Sequence, residues 1–352
     1  DIITENDAEK LKILENTFYS YVKGYISYIK GNDPFIFPKI LFPKEHTNIY
    51  FNKQNTYMPV IECKMNKHQR KIYKSGKEQQ KLQYCNLVLP FKEPDILLNF
   101  DELFKYNTKT DKFTSLDEKN ISELFDNIKK YSCKLYKLKT ILEQSTVGKI
   151  FIYSSFIKPS YGGGKFISIL LETLGFQRKI VKKNNLIISN TLEKPLVKEF
   201  NNQYYIRLDG ETSVSDRKIY IDSFNSNDNI YGENIKIIIG STNLFEGVSL
   251  FNIREIHIIE PWYNKSRYEQ IVGRGYRQCS HKLLPFNQRN LTIFNYVAIT
   301  SDVTKENSKI IDDEGNPMTD IDLRKIQLSN EKMDYISKLE TLIKKSSIDC
   351  IL

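Results

Sequence analysis

Residues 235–261 read IKIIIGSTNLFEGVSLFNIREIHIIEP, and this stretch decides the fold. Two short runs in it, IKIIIG and EIHIIEP, are apolar at nearly every position. A strand with one wet face alternates apolar and polar residues, whereas a strand buried on both faces does not. The same texture returns at KIFIYSSFI (149–157), YYIRL (204–208) and LTIFNYVAI (291–299). Helical patterns lie between these runs, at 162–176, 213–225 and 266–278, and another lies at 330–345. Strand–helix alternation of this kind predicts an α/β fold with a parallel sheet flanked by helices from residue 148 onward.

The first 147 residues are less regular. Leu11, Leu14, Phe18, Val22 and Tyr25 are spaced like one face of a helix. A Pro- and Asn-containing stretch at 31–48 reads as an irregular connection, and 58–74 as a short strand leading into a helix. Ile121, Leu124, Phe125, Ile128 and Tyr131 form one stripe of a long helical pattern over 120–145. The predicted division is an accessory segment of helices and irregular connections over 1–147, followed by a parallel-sheet lobe with a C-terminal helix over 148–352.

At 352 residues the chain has room for about two domains or one large one. Its 40% hydrophobic content supplies a packed core and argues against wholesale disorder. A formal charge of +9 favours a polyanionic partner such as nucleic acid, although a solvated basic surface accounts for it equally. None of the five cysteines stands at C-x-x-C spacing, which excludes zinc ribbons and fingers; their odd number suits free thiols in a reducing compartment. No apolar run approaches the roughly 20 residues of a membrane span, and the first residues do not resemble a signal peptide. The expectation is a cytoplasmic protein with no membrane partner. Because Asp1 and not Met comes first, a piece of a longer polypeptide is expected.

The strongest chemical signal is RYEQIVGRGYRQ, 267–278. If one helix runs through it, Gln270, Arg274 and Arg277 fall at i, i+4 and i+7 and share a face with Gly273. A Gln and two Arg around a Gly suit a triphosphate, because the planar guanidinium bonds two oxygens at once and stabilises charge as the terminal bond breaks. A solvated basic helix would explain the arginines, but neither the Gly nor the Gln. Upstream, the turn GSTN (240–243) follows a buried strand at the carboxyl edge, where α/β proteins bind ligands. There Gly247 offers an approachable backbone and Glu246 an acceptor for an arginine or a ribose, though an ordinary strand–loop–strand reads the same way. YGGGK (161–165) fails the spacing of a phosphate loop and has Phe166 where a magnesium-binding hydroxyl belongs. His257 lies within an apolar strand and reads as a core residue; no metal site is predicted.

Taken together, residues 241–278 resemble motifs V and VI of superfamily 2 helicases, close to the Swi/Snf-type translocases. Gln270, Gly273, Arg274 and Arg277 meet the Gln-x-x-Gly-Arg-x-x-Arg signature. The wording is closer still to the helicase-like ATPases of large cytoplasmic DNA viruses, the group of the poxvirus early transcription factor small subunit and nucleoside triphosphate phosphohydrolase I. EGVSLFNIREIHIIEPWYN (246–264), SHKLLP (280–285), RNLTIFNY (289–296) and SSIDCIL (346–352) carry that likeness, with YVKGYISYIKGNDPFIFP (21–38) fainter. KIFIYSSFI resembles motif IV, 207–225 the segment after it, and YSCKLYKL (131–138) the Ser-x-Lys start of the helix leading into the second motor lobe. One departure is Phe251, which stands where the Swi/Snf group commonly has Asn.

The resemblance implies the C-terminal, second RecA-like lobe of an ATP-dependent DNA helicase or translocase acting in viral transcription. Arg274 and Arg277 would be its catalytic residues, with Gln270, Gly273, Glu246 and Gly247 at the nucleotide. Ser154, Ser155, Thr242, Asn243 and Arg217 would lie on the nucleic-acid path. ATP and Mg2+ would be held chiefly by an N-terminal RecA-like lobe of the same protein. Neither Gly-x-x-x-x-Gly-Lys-Ser/Thr nor an Asp-Glu pair behind a buried strand occurs here. DNA, that first lobe, and viral RNA polymerase or a transcription factor subunit are the partners implied, in the host cytoplasm or the virion. Two other readings use the same residues: a binding module that keeps the fold without the motor, and an ATPase that remodels protein complexes independently of nucleic acid.

Overall fold

The computed structural model describes residues 8–23, 25, 36–44, 47–48, 59–145, 148–241, 247–300 and 320–346. Helix α1 (Ala8–Val22) precedes strands β1 (Lys39–Leu41), β2 (Thr47–Asn48) and β3 (Pro59–Lys64). Helices α2 (Lys67–Ser75) and α3 (Glu78–Tyr84) lead to a hairpin of β4 (Phe91–Glu93) and β5 (Ile96–Leu97). One helical turn, α4 (Phe100–Leu103), opens a second hairpin of β6 (Phe104–Asn107) and β7 (Lys112–Ser115). Three helices follow, α5 (Glu118–Asp126), α6 (Ile128–Tyr131) and α7 (Cys133–Gln144). The remainder runs β8 (Lys149–Tyr153), α8 (Gly164–Thr173), β9 (Gln177–Lys182), β10 (Asn185–Ile188), β11 (Tyr204–Arg207), α9 (Val214–Asn225) and β12 (Ile237–Gly240). It ends with β13 (Ile253–Ile258), α10 (Lys265–Val272), β14 (Asn290–Ile299) and α11 (Ile321–Ser346).

Ten strands form one sheet in the order β10-β9-β11-β12-β8-β13-β14-β3-β2, with β1 also on β14. All five apolar runs become parallel strands within it. Their continuous apolarity has a direct cause in side-chain alternation. Ile150, Ile152, Ile237 and Ile239 enter one core cluster, while Phe151, Tyr153, Ile206 and Ile238 enter the other. Successive residues point to opposite faces and both faces are covered, so every position is apolar. Apolar residues from the first half, among them Tyr73, Leu103, Phe113, Leu124 and Leu138, cover one face together with α8. Helices α9 and α10 cover the other through Tyr220, Phe224, Ile271 and Val272. The accessory segment also supplies strands: β1 and β3 pair with the first and last thirds of β14.

Two sequence readings change in detail. The long helix expected over 120–145 is three helices, broken where Ser132 is extended (φ −153°, ψ 109°) and caps α7 by accepting from the Leu135 N–H at 3.0 Å. The hairpin β9–β10, which gives the sheet an antiparallel edge, was not anticipated.

Two buried ion clusters tie the first half to the sheet. Lys134 Nζ, fully buried, reaches Asp322 Oδ2 at the start of α11 (2.6 Å) and the Ile259 carbonyl (2.9 Å). Burial pushes the Lys134 ammonium down, but Asp322 beside it outweighs burial and holds it above the ordinary lysine range. In the second cluster, Asp111 at the tip of the β6–β7 hairpin meets Arg178 (2.6 Å) and Arg207 (2.5 Å) and accepts from the Tyr106 hydroxyl (2.8 Å). Burial would raise the Asp111 carboxyl, yet Arg207 and Arg178 hold it down at about 2.

Asp322→Ala in this chain should strand a buried ammonium and cost about 3–5 kcal/mol in urea denaturation. Adding Lys134→Met to Asp322→Asn removes both charges, keeps an acceptor for the Ala298 N–H, and should recover most of that loss. A change below about 1 kcal/mol for Asp322→Ala would sink this account. For Asp111, the depressed carboxyl means its contribution is fully present above about pH 4 and is lost as pH falls through 2. Asp111→Asn should therefore cost about 2 kcal/mol near neutral pH, with the difference from the parent chain shrinking below pH 4. A gap that stays constant down to pH 2 would contradict it.

Candidate functional site

The candidate site has two parts: the arginine loop after α10, which packs against Ile253 at the start of β13, and the turn that follows the carboxyl end of β8. Asn264 starts α10 by accepting from the Ser266 N–H at 3.0 Å. The helix stops at Val272, where the Gly273 N–H reaches the Glu269 carbonyl at 2.7 Å. A side chain on Gly273 would stand 2.8 Å from that same carbonyl, so the turn requires glycine there. Gly275 then packs on β13, a Cβ there lying 3.5 Å from Ile256. The Arg274 carbonyl, which another helical turn would use, accepts instead from the Leu250 N–H at 2.8 Å. The expected single helix face is thereby corrected. Gln270 stands exposed on the last turn of α10, while Arg274 and Arg277 stand on the turns after it.

The two arginines are held from both sides of this junction. Arg277 folds back so that Nε donates to the Gly273 carbonyl (2.9 Å) and Nη1 to Ser249 Oγ (2.7 Å). Arg274 Nη1 lies 3.5 Å from the Val248 carbonyl. Both side chains are half-buried. The loop carrying them is fixed to β13: Ser280 Oγ donates to the Gly275 carbonyl (2.9 Å), and His281 Nε2 donates to the Ile253 carbonyl (2.6 Å). Burial lowers the His281 imidazole to about 4, so it is neutral at neutral pH and adds no charge beside the arginines.

The remaining predicted residues divide into three groups. Gly247 has φ +74° with nothing within 4 Å of a Cβ position, an open backbone that a phosphate can approach. Thr242, Asn243 and Glu246 lie outside the described residues. At the end of β8, Ser154 is buried and its hydroxyl donates inward to Glu260 Oε1 at 3.0 Å. Ser155 is half-buried, its N–H donating to Glu260 Oε2 (2.7 Å) and its hydroxyl 3.1 Å from the Tyr153 hydroxyl. Ser154 thus serves the turn, and Ser155 is the member of the pair left at the surface. Arg217 sits on α9, half-buried, with no hydrogen-bond partner for its Nε among the described residues.

YGGGK forms no phosphate cradle. The Gly164 and Lys165 N–H groups at the start of α8 are spent on the Phe156 (2.8 Å) and Ile157 (3.1 Å) carbonyls. His257 is a core residue, 2.8 Å from the Tyr296 hydroxyl and stacked on Phe294. Among the described residues no three His, Cys, Asp or Glu stand together to hold a metal.

Sequence reasoning missed Glu260 and Ser249. A carboxylate closing an apolar run at a strand's carboxyl end was the available signal for Glu260, whereas Ser249 carries none. Glu260 also accepts from Asn86 Nδ2 at 2.6 Å, and burial raises its carboxyl.

Residues 133–279 match the helicase conserved C-terminal domain. A protein of Acanthamoeba polyphaga mimivirus named as an ATP-dependent RNA helicase is 28% identical over 81% of this chain. Nucleoside triphosphatase I of Melanoplus sanguinipes entomopoxvirus is 28% identical over 72%, and a termination factor NPH-I homolog of African swine fever virus 27% identical over 63%. The matches span 45%, 31% and 32% of those relatives, so the chain corresponds to less than half of each. Among solved structures, the C-terminal part of the Fun30 ATPase domain aligns over 66% of this chain and 57% of its own, at 19% identity and a TM-score of 0.37. Over residues 133–279 the chain is similar to the helicase conserved C-terminal domain, and the three relatives above are viral proteins named as a helicase, a nucleoside triphosphatase and a termination factor homolog.

Proposed function

We propose that the chain is the C-terminal motor lobe of an ATP-dependent helicase or translocase that moves on DNA in viral transcription. The observation that carries this reading is the pinned Arg277: its guanidinium is fixed by the Gly273 carbonyl and Ser249 Oγ beside the open backbone of Gly247. A side chain fixed in this way is pre-organised to meet charge that develops on a phosphate. The residues fit a nucleoside triphosphate: Gly247 leaves room for it, and Arg274 and Arg277 reach Val248 and Ser249 immediately after it, with Gln270 proposed to join them. Bound Mg2+ neutralises charge on the phosphates, and its ligands are proposed to lie in an N-terminal lobe beyond this chain. The part played here is to orient two guanidiniums and, when the lobes close, to exclude water from the cleft.

Ser155 and Arg217, with Thr242 and Asn243, are proposed to contact nucleic-acid phosphates; the unpartnered Arg217 Nε and the +9 charge support this. A host-cytoplasmic or virion location accords with the free thiols Cys63, Cys85, Cys133 and Cys279. Viral RNA polymerase or a transcription factor subunit is the proposed larger partner, as the name of the African swine fever virus relative supports.

In the full-length protein, Arg277→Ala should lower DNA-stimulated turnover on the order of 10³-fold or more while largely sparing ATP binding. Arg277→Lys should rescue poorly, since an ammonium cannot span both the Gly273 carbonyl and Ser249. Near-normal turnover in the alanine variant would withdraw the assignment of the whole arginine loop. The 352-residue chain alone should hydrolyse ATP no faster than background, yet bind DNA weakly, without sequence preference, and less tightly as salt rises. Salt-insensitive binding would count against a phosphate grip. Stronger stimulation of the full-length ATPase by RNA than by DNA would move the substrate to RNA.

A further inference from the structure

The side chain of Asn225, the last residue of α9, makes two hydrogen bonds of opposite sense to a neighbouring backbone. Its Nδ2 donates to the Ser249 carbonyl at 2.8 Å, and its Oδ1 accepts from the Phe251 N–H at 2.8 Å. Leu250, between those two residues, is fully buried in the core under α9 and α10. Only a primary amide of this length supplies both a donor and an acceptor at that spacing. The same three residues are gripped from the opposite side by the arginine loop. The Leu250 N–H goes to the Arg274 carbonyl (2.8 Å), and Ser249 Oγ accepts from Arg277 Nη1 (2.7 Å). Ser249 is therefore shared: its carbonyl belongs to Asn225 and its hydroxyl to Arg277.

Gly247 has φ +74° and no neighbour within 4 Å of its Cβ position. Without Asn225, the peptide joining Ser249 and Leu250 is held only by its N–H bond to the Arg274 carbonyl, so residues 249–251 lose two of their restraints and the Ser249 hydroxyl is aimed less firmly. The Phe251 side chain, 41% exposed, provides little anchorage of its own. We propose that Asn225 is a positioning residue: its amide clamps residues 249–251 so that the Ser249 hydroxyl aims Arg277 at the triphosphate. This rests on the reading of Arg277 given above. It also gives α9 a mechanical task, because Arg217 lies eight residues earlier on the same helix, about 12 Å away at 1.5 Å per residue. One rigid element then carries both a proposed phosphate contact and the clamp on the arginine loop.

The test uses the full-length protein and steady-state ATPase assays at saturating DNA. Asn225→Ala, Asn225→Asp and Ser249→Ala are each expected to lower kcat about 10- to 100-fold, with KM for ATP and DNA affinity within about twofold of the parent. The double variant Asn225→Ala/Ser249→Ala should be no slower than the slower single variant, because both act through one contact. A merely structural role predicts multiplied losses in the double variant, or a common rise in KM; either result overturns the proposal. Ser249→Ala removes a surface-side hydroxyl and tests the same link even if the Asn225 variants fold poorly, and normal turnover in it overturns the clamp. An inactive Arg277→Ala beside fully active Asn225→Ala and Ser249→Ala sinks the clamp alone, whereas an active Arg277→Ala sinks the reading beneath it.

Discussion

Everything at the site depends on one backbone hydrogen bond, from the Leu250 N–H to the Arg274 carbonyl. It joins the segment after Gly247 to the loop after α10. With the helix ended at Val272, Arg277 turns back over its own loop and finds Gly273 and Ser249 as partners. Gly275 lies against Ile253 and Ile256 and so brings the loop close to β13. The junction in turn depends on β13 being a central strand, buried on both faces and unable to shift.

At the other end of β13 the molecule spends buried polar groups on geometry more than on stability. Glu260 takes three donors, from Ser154, the Ser155 backbone and Asn86, and so fixes the turn after β8 relative to the end of β13. Lys134 lies behind it, bound to the Ile259 carbonyl and to Asp322 of α11. A buried ion pair of this kind contributes little net stability against an apolar replacement, but it specifies one arrangement of the elements it joins. Here those elements are α7, the end of β13 and the start of α11.

Much of the fold was legible in the sequence because the parallel strands advertise themselves: five apolar runs became five central strands. The edges were harder. Val181 and Leu186 of the β9–β10 hairpin pack on the core while Ile187 and Ile188 are exposed, so apolar residues do not mark its buried face, and an edge strand buried on one face has a weak signature. The long helix over 120–145 kept its apolar stripe through Asn127 and Ser132, so periodicity alone could not show the breaks that capping imposed. Gln270, Gly273, Arg274 and Arg277 form a group in the sequence, yet they share no single helix face, since α10 ends at Val272 with Gly273 as its cap. Ser249 and Asn225 were invisible because their roles arise only from tertiary contact between α9, the turn after Gly247 and the arginine loop.

The pairing of β3 with β14 has a consequence for the order in which the chain is made. Ile61 pairs with Tyr296 and Lys64 with Ile299, so β3 leaves the ribosome more than two hundred residues ahead of its parallel partner. At about 5–20 residues per second, that delay is on the order of ten seconds or more. Throughout it, Val60, Ile61 and Cys63, all buried in the finished fold, have no sheet to join beyond the short β2. The nascent chain therefore carries an open apolar edge while those intervening residues are made, and the last of the five central strands to emerge is the one that closes it.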